Sequence, residues 1–142
     1  MRSRVAVGLL AAYAALVLLI VAWPSPIDGG QGPLIERVLR TLHVLGVPTW
    51  FNYYVVEFVA NVIMFVPLAL LLGLVLPGRL AWVPFIVGPL FSVTIEVGQS
   101  LFLPDRFGTP RDVVSNSIGA IIGGVLAVVI HRHLDQRGSS KA

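Results

Sequence analysis

Residues 55–76 read VVEFVANVIMFVPLALLLGLVL, an apolar run long enough to cross the hydrocarbon core of a bilayer as one α-helix. The run also holds Glu57 and, four residues later on the same helix face, Asn61. A charged side chain at the centre of a membrane helix costs about 2.5–3.5 kcal/mol on insertion scales. A carboxylate in this stretch therefore points to a functional site or to a partner on a neighbouring helix.

Three other stretches, residues 5–23, 80–103 and 110–130, are apolar over comparable lengths. The chain has 142 residues, of which 56% are hydrophobic and 12% charged. Soluble domains carry roughly twice that charged fraction. These features predict an all-α integral membrane protein, a bundle of four transmembrane helices that forms one domain over residues 1–142.

The loop between the first two spans is predicted to hold a shorter helix. Residues 33–45, PLIERVLRTLHVL, repeat apolar side chains at helical spacing, with Glu36, Arg37 and Arg40 between them. The segment is too short and too charged to span a membrane. It is therefore predicted to be an amphipathic helix in the first outer loop, lying on the bilayer or capping the bundle.

Prolines and polar residues set the predicted helix ends. The third span is expected to be broken at Pro84 and at Gly88–Pro89. Residues 131–142 are predicted to be a polar, frayed tail, with His131 and His133 at the membrane interface rather than on a metal.

The distribution of lysine and arginine favours cytoplasmic N and C termini in a multi-pass protein of a bacterial cytoplasmic membrane. Four basic residues lie on the predicted outer side and six on the side of the termini. The outer four are Arg37, Arg40, Arg106 and Arg111; the other six are Arg2, Arg4, Arg79, Arg132, Arg137 and Lys141.

This topology brings polar residues from three helices and a loop to one depth. The second span enters from the outer side, the third leaves there and the fourth begins there, so their polar groups lie within about 10 Å of the outer interface. We predict one binding site, with no catalytic residue assigned. Its residues are Glu57, Asn61, Glu96, Gln99, Arg106, Arg111, Asp112 and Asn116.

Two interpretations of this cluster stay open. One is a ligand site centred on Glu96 facing Arg106 or Arg111; the other is an internal network that holds the helices together. Asp112 also fits position N3 of a helix with Thr109 as N-cap and Pro110 at N1, so it is either an end cap or a site residue.

Other compositional features narrow the function. The chain has no cysteine, no basic run with interleaved aromatics and no histidine-rich pattern, so we expect no nucleic-acid partner, no metal and no cofactor. Small residues recur at every fourth position of the last span, as Ser115, Gly119, Gly123 and Ala127. This stripe favours packing inside the bundle, with a homodimer through the Gly119/Gly123 face as the alternative.

Three motifs in order resemble the VanZ-like family of small bacterial membrane proteins. They are N-x-x-x-F-V-P-L at residues 61–68, S-x-x-x-E-x-x-Q at residues 92–99, and FLPDRFGTPRDVVSNSIGAIIGG at residues 102–124. The family's namesake is associated with low-level resistance to teicoplanin-type glycopeptides, without remodelling of the peptidoglycan stem. Carried over by position, the motif residues are Asn61, Pro67, Glu96, Gln99, Arg106, Arg111, Asp112, Asn116 and Gly119.

Residues and resemblance together give one leading hypothesis and two alternatives. The leading hypothesis is a membrane protein that binds or excludes an envelope ligand at the outer face, either a lipoglycopeptide or a lipid-linked headgroup, with membrane lipids as its other partners. The first alternative is an enzyme acting on a lipid-linked substrate with a glutamate as general base; this is the less favoured reading, because no serine has a histidine near it in the sequence. The second alternative is a purely structural scaffold.

Overall fold

The computed structural model describes residues 4–22, 32–102 and 109–139, and every regular element in these ranges is helical. Four of the α-helices are long and apolar enough to cross a membrane, which confirms the predicted four-span architecture. The helices are α1 (Arg4–Val21), α2 (Gly32–Val44), α3 (Tyr53–Val75), α4 (Pro84–Phe102) and α5 (Pro110–Ser139), with a 3-10 turn at Gly78–Leu80.

The short helix α2 lies within one residue of its predicted bounds and packs against α3. The helix ends at Val44 and is followed by Gly46, whose φ of 97° is accessible to glycine at little cost. The N–H of Val47 donates to the carbonyl of Leu42 at 3.0 Å, and that of Gly46 to His43 at 3.1 Å, as in a Schellman motif. Leu39 is buried, while other apolar side chains of α2 remain exposed, as expected for a helix at a membrane surface.

Helix α3 starts two residues earlier than predicted because Asn52 caps it. The Asn52 side chain accepts hydrogen bonds from the N–H groups of Tyr54 and Val55. Pro67 lies inside the helix and has no N–H to donate to the carbonyl of Ile63. The hydroxyl of Tyr13 on α1 donates to the next carbonyl, that of Met64, at 3.0 Å. A neighbouring helix thus supplies a donor where the proline disturbs the backbone.

The predicted start of the third span is wrong. Leu80 belongs to the 3-10 turn, and α4 begins at Pro84. Pro84 therefore does not break a helix but takes its first position, where a missing N–H leaves no hydrogen bond unmade. Pro89 does lie inside α4, as expected.

The predicted frayed tail is wrong over most of its length, because α5 continues past Ile130 to Ser139. No proline or glycine interrupts residues 131–137, and adding residues to an existing helix is far easier than nucleating one. At 1.5 Å per residue α5 is about 45 Å long, whereas the hydrocarbon core is about 30 Å thick. Its last turns therefore extend beyond the membrane.

Helices α3 and α5 run parallel in the closest contact of the bundle. Gly119 lies against the carbonyl of Val62, and Gly123 lies against the carbonyl of Val66. Both glycines are buried, so the small-residue stripe serves packing inside the chain. A dimer through the same two residues would require α3 to move away.

Candidate functional site

Those residues of the predicted polar set that the structure describes lie toward one end of the bundle, where α3 and α5 begin and α4 ends. We call this the polar end. Two hydrogen bonds between helices establish its register: Asn61 Nδ2 donates to Asp112 Oδ1, and Asn116 Nδ2 donates to Ser92 Oγ, each at 2.9 Å. These bonds place Asn61 on α3 at the depth of Asp112 on α5, and Asn116 on α5 at the depth of Ser92 on α4.

Asp112 is both an end cap and a link between helices. Its Oδ2 accepts from the hydroxyl of Thr109 at 2.8 Å and from the N–H of Thr109 at 3.3 Å. In return, the N–H of Asp112 donates to the Thr109 hydroxyl at 3.3 Å, which completes the predicted capping box. The other carboxylate oxygen is the one that receives Asn61. The start of α5 is therefore fixed to α3 through one carboxylate.

A buried amide lies one turn deeper on α5. Asn116 is 3% exposed, and its partner Ser92 on α4 is fully buried. The neighbouring Ser115 is also fully buried and donates to the carbonyl of Asp112 in its own helix. The Oδ1 of Asn116 is buried and accepts no hydrogen bond from any described residue. A buried carbonyl without a donor costs about 1–3 kcal/mol, so it calls for an explanation.

Gln99 connects the polar end to α1. Its Nε2 donates to the carbonyl of Val21 at 2.8 Å, and Val21 is the last residue of α1. The final carbonyls of a helix have no partner within the helix, so this bond caps α1 from outside. The sequence placed Gln99 at the right depth but gave no sign of this partner.

Arg111 lies at the surface of the polar end. Its guanidinium carbon is 4.5 Å from the centre of the Tyr54 ring, within the range of a cation–π interaction. The predicted pairing of Glu96 with Arg106 or Arg111 remains a prediction, because Arg106 lies outside the described residues and the described contact of Arg111 is with the ring of Tyr54. Tyr54 is absent from the predicted set of site residues.

Glu57 and Glu96 are both half-buried and both engage other groups of the chain. Glu57 lies one turn before Asn61 on α3, and Glu96 lies one turn beyond Ser92 on α4, with its Oε2 buried. Ser92, absent from the predicted set, could have been found from its spacing of four residues before Glu96, which places both on one face of α4.

The polar end carries charged groups of both signs. Among the described residues, Glu57, Glu96 and Asp112 supply carboxylates, and Arg111 supplies the positive charge. The orphaned Oδ1 of Asn116 adds one more acceptor. Within the described part of the chain, no hydrogen bond joins a serine to a histidine, and no group of three metal-binding side chains is found.

The fold and this cluster define a multi-pass α-helical membrane protein with a polar site at one end of its bundle. The family model described as VanZ/LLP1 matches residues 10–131, which is most of the chain. The protein therefore belongs to the VanZ/LLP1 family. Searches of the curated proteins and of the solved structures found no significant match.

Proposed function

We propose that this protein binds a cell-envelope ligand at the polar end and thereby confers resistance to teicoplanin-type glycopeptides. The polar end faces the outside of a bacterial cytoplasmic membrane in this proposal, and the N and C termini face the cytoplasm. The excess of arginine and lysine on the side of the termini supports that orientation.

The observation that carries the proposal is the buried Oδ1 of Asn116, which accepts no hydrogen bond from the described residues. If this position served packing alone, a leucine of similar volume would avoid the free-energy cost of an unsatisfied buried carbonyl. The Asn116 Oδ1 lies beneath a cluster that holds three carboxylates, and there it could accept a hydrogen bond from a donor group of a ligand. Glycopeptides carry amines, which the carboxylates would meet, and a carboxylate, which Arg111 would meet.

The test is teicoplanin susceptibility of a sensitive Gram-positive host that expresses the wild type, Glu96→Gln, Arg111→Ala or Arg37→Ala at matched membrane levels. Glu96→Gln keeps the shape of the side chain and removes its charge. Arg111→Ala removes an exposed guanidinium whose described contact is the ring of Tyr54. Arg37→Ala is the matched control, because Arg37 is an equally exposed arginine on α2 and lies outside the cluster.

We expect the wild type and Arg37→Ala to protect the host, and Glu96→Gln and Arg111→Ala to lose protection. Fluorescent drug should also accumulate differently on cells with and without the wild-type protein. Equal protection by all four proteins would show that the polar cluster only holds the helices together. If the wild type gives no protection, glycopeptide resistance is not the function of this protein. The ligand would then have to be sought among the native lipids of the envelope.

Asn116→Leu tests the carrying observation directly. The substitution removes the orphaned carbonyl, and the freed hydroxyl of Ser92 can turn to a carbonyl of its own helix. We expect a folded protein that has lost protection. A variant that folds and still protects would show that the Asn116 amide is not used by the ligand.

A structural role for the polar residues is the second candidate, and the internal hydrogen bonds favour it. Asn61 to Asp112 joins α3 to α5, and Gln99 to the Val21 carbonyl joins α4 to α1. Under this role, Glu96→Gln would mainly lower the yield of folded protein, with protection falling in proportion to that yield. Specific protection per folded molecule separates the two candidates.

A further inference from the structure

The half of the bundle away from the polar end contains a cavity that the proposed function does not use. Its volume is about 230 Å³, and it lies on α3 between α1 and α4. The lining is apolar and comes from all four spanning helices, including Leu10, Ala14, Leu72, Val87 and Phe91. Val87 is 42% exposed, so the cavity opens sideways between α1 and α4.

The chemistry of the lining decides what can fill this space. The space is large enough for several water molecules, yet apolar cavities stay dry and take up apolar ligands instead. All the lining residues lie on membrane-spanning helices, so the medium at the opening is hydrocarbon. An acyl chain of a membrane lipid is the occupant that this position supplies.

The position along the helices selects the leaflet. Leu10 lies six residues from the start of α1, Leu72 lies three residues before the end of α3, and Pro84, the first residue of α4, also lines the cavity. The cavity thus extends from the middle of the bundle toward the end where α1 and α4 begin, so an acyl chain from the leaflet opposite the polar end can reach it.

The charges at that end select the headgroup. An exposed arginine lies at the start of each of the two helices that flank the opening. Arg4 is the first residue of α1, and Arg79 lies in the turn before α4. Neither arginine forms an ion pair within the described residues. Arginines at a membrane surface attract anionic headgroups.

We propose that this cavity binds one acyl chain of an anionic phospholipid whose headgroup is held by Arg4 and Arg79. The cavity shares no lining residue with the polar end, so the lipid site is distinct from the proposed ligand site. The lipid completes the packing between α1 and α4, which the protein side chains leave open.

The test is native mass spectrometry of the full chain in mild detergent with added phosphatidylglycerol or phosphatidylcholine of identical acyl chains. We expect the wild type to retain phosphatidylglycerol preferentially. Charge removal by Arg4→Gln with Arg79→Gln should lower that retention about fivefold for each arginine. Arg132→Gln with Arg137→Gln is the matched control, because it removes the same charge from exposed positions on α5 and should change retention less than twofold.

A second arm tests the chain. Ala14→Phe fills the cavity from α1 and should lower retention of both lipids, whereas Ala15→Phe on the exposed face should not. Phosphatidylglycerol with two six-carbon chains should be retained at least tenfold less than the long-chain form, which tests the cavity even if Ala14→Phe misfolds. Equal retention of the two headgroups, equal effects of the two arginine pairs, or full retention of the short-chain lipid would each overturn the proposal.

Discussion

Helix α3 is held in two different ways on its two sides. On the side of α5, glycines let the backbones touch, with Gly119 and Gly123 against the carbonyls of Val62 and Val66. On the side of α1, the contact rests on side chains, with one hydrogen bond from Tyr13 to the Met64 carbonyl and an open cavity beyond it. The first interface is closed by the protein itself, and the second is left to be filled.

The difference shows where this protein needs a fixed geometry. In a membrane the hydrophobic effect does not drive helices together, so close packing and hydrogen bonds must hold them. The tight α3–α5 pair carries Asn61, Asp112 and Asn116, whose bonds define the polar end. Helix α1 meets the polar end at the Val21 carbonyl, outside the α3–α5 pair, so it can be more loosely attached without disturbing the α3–α5 register.

Gly123→Ala should have the largest effect, because it forces α3 and α5 apart. The added Cβ would lie against the Val66 carbonyl and 2.8 Å from the Leu70 backbone nitrogen, and neither can rotate away. We expect a loss of about 3 kcal/mol of unfolding free energy, at the upper end for overpacking. Gly8→Ala is the matched control, since a Cβ there meets nothing within 4 Å. Unfolding in detergent followed by circular dichroism measures both, and equal stabilities would contradict the tight interface.

The sequence predicted the tight interface because its signal is local and periodic. Small residues at every fourth position of one helix indicate a close neighbour, and the spacing alone located Gly119 and Gly123. It could not identify the partner, since both a second copy and α3 satisfy the same pattern. The end of α5 was predicted too early because polar residues stop a membrane span without stopping a helix.

Gln99→Leu should have the next largest effect, on the attachment of α1. It leaves the Val21 carbonyl without its donor from α4, which costs about 1 kcal/mol. Thr94→Val is a suitable control on the same helix, because the Thr94 hydroxyl bonds only to the Leu90 carbonyl within α4. The distribution of distances between spin labels on α1 and α4 should be broader in Gln99→Leu than in the wild type, and unchanged in Thr94→Val. An unchanged distance would mean that α1 is held by something other than this bond.

Tyr13→Phe removes the hydrogen bond from the Tyr13 hydroxyl on α1 to the Met64 carbonyl on α3 and keeps the aromatic ring. The expected loss is about 0.6 kcal/mol, the average for hydrogen bonds between membrane helices. The combination of Tyr13→Phe with Gln99→Leu should give the sum of the two losses, because the bonds lie far apart on α1. Unfolding free energies of the single and double variants test this. A double loss much larger than the sum would indicate that α1 detaches as one unit.

For the polar end, the sequence predicts a common depth of the side chains but not which side chains contact each other. Counting residues from the helix ends placed Glu57, Glu96 and Asn116 at one level, since every spanning helix rises by the same amount per residue. Which side chain meets which depends on the rotation of each helix about its axis, and no local pattern reports that. The Arg111 contact with Tyr54 and the Gln99 bond to α1 therefore emerged only in three dimensions.

Ala14→Leu should have the smallest effect on the unfolding free energy. A gain in stability would show that the α1 side of α3 has unfilled space, unlike the α5 side. The larger side chain extends from α1 into the cavity and gains dispersion contacts that the cavity walls now lack. In detergent without phospholipid we expect Ala14→Leu to gain about 0.5 kcal/mol of unfolding free energy. This gain is well below the cost of a comparable cavity in a soluble core, because detergent chains already fill part of the space.

Added phosphatidylglycerol should stabilise the wild type more than Ala14→Leu, since a ligand stabilises only the form that binds it. Ala15→Leu on the exposed face should respond to lipid as the wild type does. If lipid stabilised Ala14→Leu as strongly as the wild type, the open side of α3 would not be a place where lipid replaces protein packing.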